Sequence, residues 1–363
     1  MAKDPGPTIF EAQAQSQDKA PDQPAPTLAL WARSDQTDAL RAACADARVR
    51  VIAAGSPQAT DATLVAGAFD AHPIDDPRAL AADAATDALL IADPRPWVDA
   101  PDSAHAAGFV AAAARGVRLA TLEPIASNTA DLFQAGWLTE ASGAAAADRL
   151  PMLPRFARSA HARAVADLFA EFGGAAGVRS AHFVWTGPTS IASLGARTLL
   201  AFDLIHTLLD EPESLAASYT AAPSAAAPRK AARPNLVGLA GELHIDAHLS
   251  GGRTVSCLLS DQDRHGSWSL RLFGNAGVLT LEDTRIEWAD PSGAHVEQLV
   301  VDEAPGDLKR VAAALRAHLD PRTPQVAPMD TLACYAAAET ALLSARTGER
   351  ERPETVKRLA GKG

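Results

Sequence analysis

Short apolar segments alternate with helix-forming segments along the first third of the chain. Four of these segments have the length and composition of buried strands, namely residues 27–31, 49–53, 87–92 and 117–122. Between the first two, apolar residues recur with the spacing of an amphipathic helix, at Leu40, Ala43, Cys44 and Ala47. Strands that alternate with helices are typical of a parallel sheet covered by helices on both faces. The sequence therefore predicts an α/β fold with a Rossmann-like, doubly wound parallel sheet over residues 27–125.

The ends of the last two predicted strands are the first candidates for a functional site. Asp93 and Pro94 close the strand at 87–92, and Glu123 and Pro124 close the strand at 117–122. A proline ends a strand because it cannot donate to the hydrogen-bond ladder of a sheet. The carboxyl ends of parallel strands border the crevice in which folds of this class bind ligands. We therefore expect Glu123, Asp93 and Pro94 to lie at such a crevice.

In the second half of the chain, strand-like and helix-forming segments no longer alternate. Strand-like segments follow one another almost without helices, at residues 178–185, 236–249, 254–259, 268–273, 278–281 and 286–288. This pattern predicts an α+β domain with a large, mostly antiparallel sheet. The predicted organisation is a disordered tail at 1–26, a Rossmann-like nucleotide-binding domain at 27–125, an α+β domain for substrate binding and oligomerisation at 126–346, and a C-terminal tail at 347–363.

The composition argues against several classes of partner. The chain carries a formal net charge of −11, which is unfavourable for binding nucleic acid or an anionic membrane surface. No apolar run approaches the roughly 20 residues that span a bilayer, and the N-terminus lacks the pattern of a signal peptide. Cys44, Cys257 and Cys334 are far apart in the sequence, so the spacing indicates neither a disulfide framework nor a metal finger. We therefore expect a reducing, cytoplasmic location.

Three stretches of the chain resemble motifs of the Gfo/Idh/MocA family of NAD(P)-dependent oxidoreductases. Residues 115–126 are similar to the family's strand that ends in Glu-Lys-Pro, and residues 203–212 to its Asp-Leu-x-x-x-Leu-Leu-Gly-x-Pro helix end. Residues 270–281 are similar to a hairpin of the family's large sheet, and the order of elements agrees over residues 27–346. The resemblance implies a nucleotide-binding domain followed by a substrate domain, NAD(P) as the cofactor, and a small sugar- or polyol-like ligand.

The cofactor motifs of the family are altered in this chain. The turn at residues 32–37 has no glycine where the family has Gly-x-Gly-x-x-Gly, whose glycines let the backbone approach the pyrophosphate. Asp35 in this turn places a carboxylate near the expected phosphates, which is unfavourable by charge repulsion. The second strand ends in residues 54–57, which include no acid to bind the ribose hydroxyls.

The catalytic motifs are altered as well. By ungapped placement Glu123 stands at the family's lysine and Leu200 at its histidine, and a shift of three residues places Arg197 there instead. The joint change of four motifs predicts lost or altered dehydrogenase activity in a ligand-binding or partner subunit. An active NAD(P)-dependent oxidoreductase with rebuilt residues is the alternative. A cofactor-free acid/base reaction on a carbonyl compound is a third interpretation.

Each candidate residue has a functional and a structural interpretation. Glu123 is a candidate acid/base, or else a strand-end residue that makes a helix-cap or salt-bridge contact. Asp203 and His206 share one face of a predicted helix, so they are either an orienting acid with its imidazole or a polar spot between domains. Arg33 and Ser34 could bind a cofactor phosphate beside a helix N-terminus, or they are a surface residue and a helix cap. Asp93 and Pro94 are expected to form a turn first and a cofactor contact second.

One predicted strand carries polar residues at alternate positions. Glu242, His244, Asp246 and His248 should leave the same face, with apolar residues on the other. His244 and His248 would lie about 13 Å apart along a strand, too far to share one metal ion, so we predict no metal site. We expect a homo-oligomer, or a complex with a related subunit, through the face that carries Glu242 and His244.

Overall fold

The computed structural model describes residues 25–76, 79, 86–98, 103–138, 146–222, 235–301, 306–323 and 327–360. The predicted disordered tail at 1–26 lies outside these residues, apart from its last two positions.

Five parallel strands form the first sheet. The strands are β1 (Thr27–Trp31), β2 (Arg50–Gly55), β3 (His72–Ile74), β4 (Ala88–Ile91) and β5 (Arg118–Thr121). The helices between them are α1 (Thr37–Ala47), α2 (Ala59–Ala68), α3 (Arg95–Val98) and α4 (Ser103–Ala114). The strand order is β3-β2-β1-β4-β5, so the winding direction reverses between β1 and β4. The carboxyl ends of these two strands therefore border the crevice of a doubly wound sheet, and the predicted Rossmann-like sheet is confirmed.

An eight-stranded sheet makes up most of the second half. Its strands are β6 (Val178–Pro188), β7 (Pro212–Ala221), β8 (Gly241–Leu249), β9 (Thr254–Ser260), β10 (Gln262–Gly274), β11 (Gly277–Glu282), β12 (Arg285–Ala289) and β13 (His295–Val300). The order is β13-β12-β11-β10-β6-β9-β8-β7. The pair β6 and β9 is parallel and every other neighbouring pair is antiparallel, which confirms the predicted second sheet.

The described residues after β5 also form seven α-helices, most of which pack on the second sheet or join its strands. They are α5 (Thr129–Gln134), α6 (Ala160–Glu171), α7 (Gly174–Gly177), α8 (Leu194–Leu208), α9 (Asp307–Leu319), α10 (Thr331–Thr347) and α11 (Pro353–Ala360). Every residue of α8 from Leu194 to Ile205 is buried, so this helix is surrounded by protein. Helix α9 packs on α1, where Val311 and Leu315 join the core on one face of the parallel sheet. A helix late in the sequence thus completes the first domain's core.

The segment predicted as a C-terminal tail contains α11. Pro353 and Val356 are buried, and Glu351 forms an isolated bridge with Leu215 of β7. The helix has a strongly one-sided distribution of apolar residues, and this apolar face covers β7 and α10. Residues 353–360 therefore belong to the folded body.

The alternation predicted for β8 is present. Glu242, His244, Asp246 and His248 are exposed, while the residues between them are buried in the core on the side of α8. Val184 and Leu258 pair in the middle of the same outward face and are half-buried. In the described part of the chain, no helix combines the length and the apolar character that crossing a membrane would need.

We still expect this outward face to be the oligomer interface. Leu258→Glu should then convert an oligomer into monomers, because it places a charge at the centre of the face. The matched control is Leu64→Glu on α2, where the leucine is 62% exposed and far from this sheet. Light scattering at micromolar concentration measures the change. A monomeric wild-type protein, or equal dissociation by both substitutions, would contradict the prediction.

Candidate functional site

Glu123 lies buried at the carboxyl end of β5 and holds the start of α8. One carboxylate oxygen accepts the backbone N–H of Ser193 at 2.9 Å, and the other accepts the Ser193 hydroxyl in a short hydrogen bond. Ser193 is the N-cap of α8, and its Oγ accepts the N–H of Ala196 at 3.2 Å. This arrangement is the helix-cap contact that the sequence analysis named as the structural interpretation of Glu123.

The buried carboxyl group of Glu123 has an unusual acidity. Burial raises the pKa of Glu123 from 4.5 to about 7, and the negative charge of Asp93 adds to this rise. The hydrogen bonds from Ser193 and the charge of Arg33 lower the pKa but do not compensate for burial. A carboxyl group that titrates near neutrality can exchange protons at physiological pH. In this structure, however, both of its oxygens are already hydrogen-bonded to Ser193.

The turn after β1 is closed by its own side chains. Residues Ser34–Gln36 form one turn of 3-10 helix, and Arg33 pairs with Asp35 at 2.8 Å. The Ser34 hydroxyl donates to Asp61 of α2 at 2.6 Å. Gln36 is fully buried: its Oε1 accepts the backbone N–H of Arg33 at 3.0 Å, and its Nε2 donates to the carbonyl of Ala92 at 3.1 Å. Gln36 therefore ties the first turn to the end of β4.

Asp93 is held at the end of β4 by two arginines. It accepts the backbone N–H of Arg95 at 3.0 Å and the Arg95 guanidinium at 2.8 and 2.5 Å. Arg33 approaches the same carboxylate at 3.5 Å. The carbonyl of Pro94 accepts the N–H of Trp97 at 2.9 Å in the first turn of α3. The structure thus brings Arg33, Asp93 and Glu123 together at the crevice, while the Ser34 hydroxyl is directed to α2.

Asp203 and His206 lie elsewhere on α8. Asp203 is buried in a bidentate ion pair with Arg155, at 2.9 and 2.7 Å, and Arg155 also donates to the carbonyl of Ala327 at 2.8 Å. His206 is half-buried near the C-terminal end of the helix. At 1.5 Å per residue, Asp203 lies about 15 Å and His206 about 20 Å along the helix from Ser193. The geometry therefore does not bring either residue to Glu123.

Sequence reasoning missed a buried network around Asp307 at the start of α9. Asp307 accepts Arg197 at 2.6 Å, Arg310 at 2.5 Å and the indole N–H of Trp185 at 2.8 Å. Burial alone would raise the pKa of Asp307, but the charges of Arg310 and Arg197 outweigh it and the pKa lies below its usual value. The available signal was Arg197 itself, a charged residue close to the apolar run at residues 199–202.

A cavity of about 650 Å³ opens between α8, α9 and the inner face of the second sheet. Leu200 and Leu204 of α8 line one side, and Trp185 and Trp268 line another. Its volume is within the range of small-molecule sites. Leu200 thus presents an apolar side chain to the cavity. Among the described residues, no group of three or more His, Cys, Asp or Glu side chains is arranged to hold a metal ion.

The raised pKa of Glu123 predicts how the stability of the protein changes with pH. The folded protein binds more protons than the unfolded chain between about pH 4.5 and 7, so this group's contribution to stability falls as the pH rises. Glu123→Gln removes the titration and keeps the shape. Its stability relative to wild type should therefore rise between about pH 5 and pH 8, by at most ~1.4 kcal/mol per pH unit. Urea denaturation at several pH values measures this, and a difference that is constant with pH would contradict it.

The role of Asp203 is tested by its effect on stability. Asp203→Asn should cost about 3–5 kcal/mol, because it leaves the buried Arg155 without its charge partner. The control is Asp38→Asn, which breaks an exposed pair with Arg41 and should change stability by less than about 0.5 kcal/mol. Chemical denaturation measures both. Wild-type stability of Asp203→Asn would contradict the structural role and favour a catalytic one.

Solved structures with the same architecture are oxidoreductases. Levoglucosan dehydrogenase, in complex with NADH and levoglucosan, matches with a TM-score of 0.63 at 14% identity, covering 91% of this chain and 99% of that one. An oxidoreductase from Agrobacterium radiobacter, in complex with NAD+, L-tartaric acid and magnesium, matches at 0.59 with 16% identity, covering 92% and 99%. A myo-inositol dehydrogenase from Corynebacterium glutamicum matches at 0.56 with 14% identity, covering 91% and 99%.

No protein-family model matches the chain, and no curated protein matches its sequence. The likeness therefore concerns the three-dimensional fold. Both sheets and the order of elements agree with the resemblance identified in the sequence, and the chain has the two-domain fold of the Gfo/Idh/MocA oxidoreductases.

Proposed function

We propose that this protein uses the dehydrogenase fold to bind a small ligand and has lost NAD(P)-dependent hydride transfer. It would act as a ligand-binding protein or as the partner of a related subunit, in a soluble, cytoplasmic setting. The observation that carries the proposal is the closure of the crevice by the protein's own side chains. The groups at the carboxyl ends of β1, β4 and β5 are hydrogen-bonded to one another and to α8.

The first support comes from the place where a pyrophosphate would bind. A dinucleotide site needs free backbone N–H groups and little negative charge at the start of the first helix. Here the backbone N–H of Arg33 already donates to the side-chain oxygen of Gln36, and the guanidinium group of Arg33 forms an ion pair with Asp35. The Ser34 hydroxyl is bonded to Asp61. These carboxylates would repel phosphate groups.

The second support comes from the groups that would move a proton. Glu123 replaces the family's lysine, and its two oxygens anchor Ser193 rather than face an open cavity. Ungapped placement puts Leu200 at the family's histidine, where it contributes only apolar surface to the cavity, and the alternative, Arg197, is paired with Asp307. A hydride-transfer step needs a nearby group that accepts or donates the hydroxyl proton of the substrate. Neither position supplies one in this arrangement.

One observation favours the alternative of an active oxidoreductase with rebuilt residues. The pKa of Glu123 is raised to about 7, a value suited to acid/base chemistry, at the carboxyl end of a crevice strand. The solved structures of the same fold include complexes with NADH and levoglucosan or L-sorbose. On this reading a dinucleotide would displace Gln36 and the Arg33–Asp35 pair, and Ser193 would release Glu123.

A titration of the full chain with NADH and NADPH separates the two functions. We expect no saturable, one-to-one binding in calorimetry, because the phosphate-binding groups are occupied and flanked by carboxylates. Levoglucosan dehydrogenase serves as the positive control for NADH. Stoichiometric uptake by this protein, together with turnover that Glu123→Ala abolishes, would contradict the proposal and establish the alternative.

A further inference from the structure

The cavity between α8, α9 and the second sheet carries an unexpected charge. Its described lining residues include five arginines and a single carboxylate, Asp320, which is paired with Arg322 at 3.0 Å. The arginines are Arg155, Arg163, Arg310, Arg316 and Arg322. The chain as a whole has a net charge of −11, so this concentration of positive groups runs against its composition. We propose that the cavity binds a small organic anion, a carboxylate or phosphate on a compact sugar-like or apolar skeleton, which specifies the ligand of the function proposed above.

The carboxylates that pair with the inner arginines lie behind the cavity wall. Asp203 holds Arg155 from within α8, and Asp307 and Asp283 hold Arg310. None of these three acids is among the described residues that line the cavity. The ion pairs therefore fix the two guanidinium groups in place and leave their positive side toward the cavity. A ligand in the cavity would therefore contact these two guanidinium groups rather than their partner carboxylates.

Arg310 is held by two carboxylates and lies beside two indole rings. Its guanidinium carbon lies 5.9 Å from the ring centre of Trp185 and 5.9 Å from that of Trp268. The same side chain is anchored by Asp307 and Asp283. Its Nε–H is buried and has no hydrogen-bond partner among the described residues. A buried donor without an acceptor is unfavourable, and the anchored guanidinium group lines the cavity, where an oxyanion would be attracted to its positive charge.

Aromatic side chains on one side of the cavity form a wall that would contact the organic part of the ligand. Trp268 stacks on Phe156 with ring centres 6.0 Å apart and meets Phe183 edge-on at 5.8 Å. Leu200 and Leu204 continue the apolar surface from α8. This wall is held by ring-to-ring packing, so it presents a preformed apolar surface beside the arginines. Inorganic phosphate alone would leave that surface unused.

The mouth of the cavity provides residues that can be changed without disturbing the core. Arg163 of α6 and Arg316 of α9 line the cavity and are exposed. The double substitution Arg163→Gln and Arg316→Gln removes two positive charges there. The matched control is Arg41→Gln and Arg50→Gln, which removes two exposed arginines from α1 and from the start of β2, away from the cavity lining and from the outward face of the second sheet. Both double variants change the net charge equally, so a difference between them reports the cavity.

The experiment is calorimetric titration of the full chain with four probes in low and high salt. The probes are D-glucuronate, D-glucose 6-phosphate, D-glucose and inorganic phosphate. We expect at least one of the two sugar anions to bind about tenfold or more tightly than glucose and than phosphate, with affinity falling as salt is added. The cavity double variant should weaken that binding by about tenfold, whereas the control variant should not. Which sugar anion binds more tightly distinguishes a carboxylate from a phosphate ligand.

Equal binding of glucose and the sugar anions, no binding of any probe, or equal losses in the two double variants would each overturn the inference. The outcome for the proposed function is separate. Anion binding that requires added NADH would support the anion site and contradict the loss of cofactor use. Tight binding of neutral glucose without NADH would agree with the proposed ligand-binding function but would contradict the inference that the ligand is an anion.

Discussion

The contact between Glu123 and Ser193 connects the parallel sheet to the rest of the molecule. It joins residues 70 positions apart, at the carboxyl end of β5 and at the N-cap of α8. The first N–H groups of a helix have no acceptor within it, and a helix as buried as α8 cannot leave them to water. Ser193 supplies one acceptor, and Asp261 accepts the N–H of Leu194 at 3.3 Å. The position of α8, and of the cavity wall that it forms, follows from this anchor.

The same contact changes what the crevice can do. A carboxylate at a helix N-terminus is favoured by the helix dipole, yet burial opposes its charge and raises the pKa to about 7. Gln36, Arg33 and Asp93 are likewise bonded to their neighbours. The polar groups at the end of the parallel sheet thus bind one another and stabilise the fold. The groups directed toward an open space are the arginines beside Trp185 and Trp268, so recognition in this account lies on the flank of α8 rather than at the crevice.

The elements that the sequence predicts are those whose residues are buried in a regular pattern. Strands β1, β4 and β5 are almost wholly buried, and β8 alternates between the core and the outward face. Strand β3 was not predicted because His72 and Pro73 are exposed, and β13 was not predicted because five of its six residues are exposed. Strand β7 has no clean alternation, since polar and small residues occupy half-buried positions on both sides. Edge strands take their place from pairing with a neighbour, which single-strand patterns do not reveal.

The candidate site could also be predicted only in part from the sequence. That Arg33, Asp93 and Glu123 would meet followed from the rule that parallel strands end at one edge. The partner of Glu123, Ser193, did not follow, and neither did Asp61, which accepts the hydroxyl of Ser34, because both come from other elements and are recognised only after the chain is folded. The sequence left Asp203 as either an orienting acid beside His206 or a polar spot between domains, and it could not reveal the partner, Arg155, which is 48 residues away. The arginines of the cavity come from α6, α9 and the segments that flank them, so no local pattern could assemble them.

The central claim is that internal hydrogen bonds have closed the dinucleotide site. A crystal structure grown with excess NADH tests it most directly. The account predicts that the contacts of Glu123 with Ser193 and of Gln36 with Ala92 persist and that no dinucleotide occupies the crevice. A pyrophosphate bound against Arg33 and Ser34, with the pyridine ring beside Glu123, would contradict it.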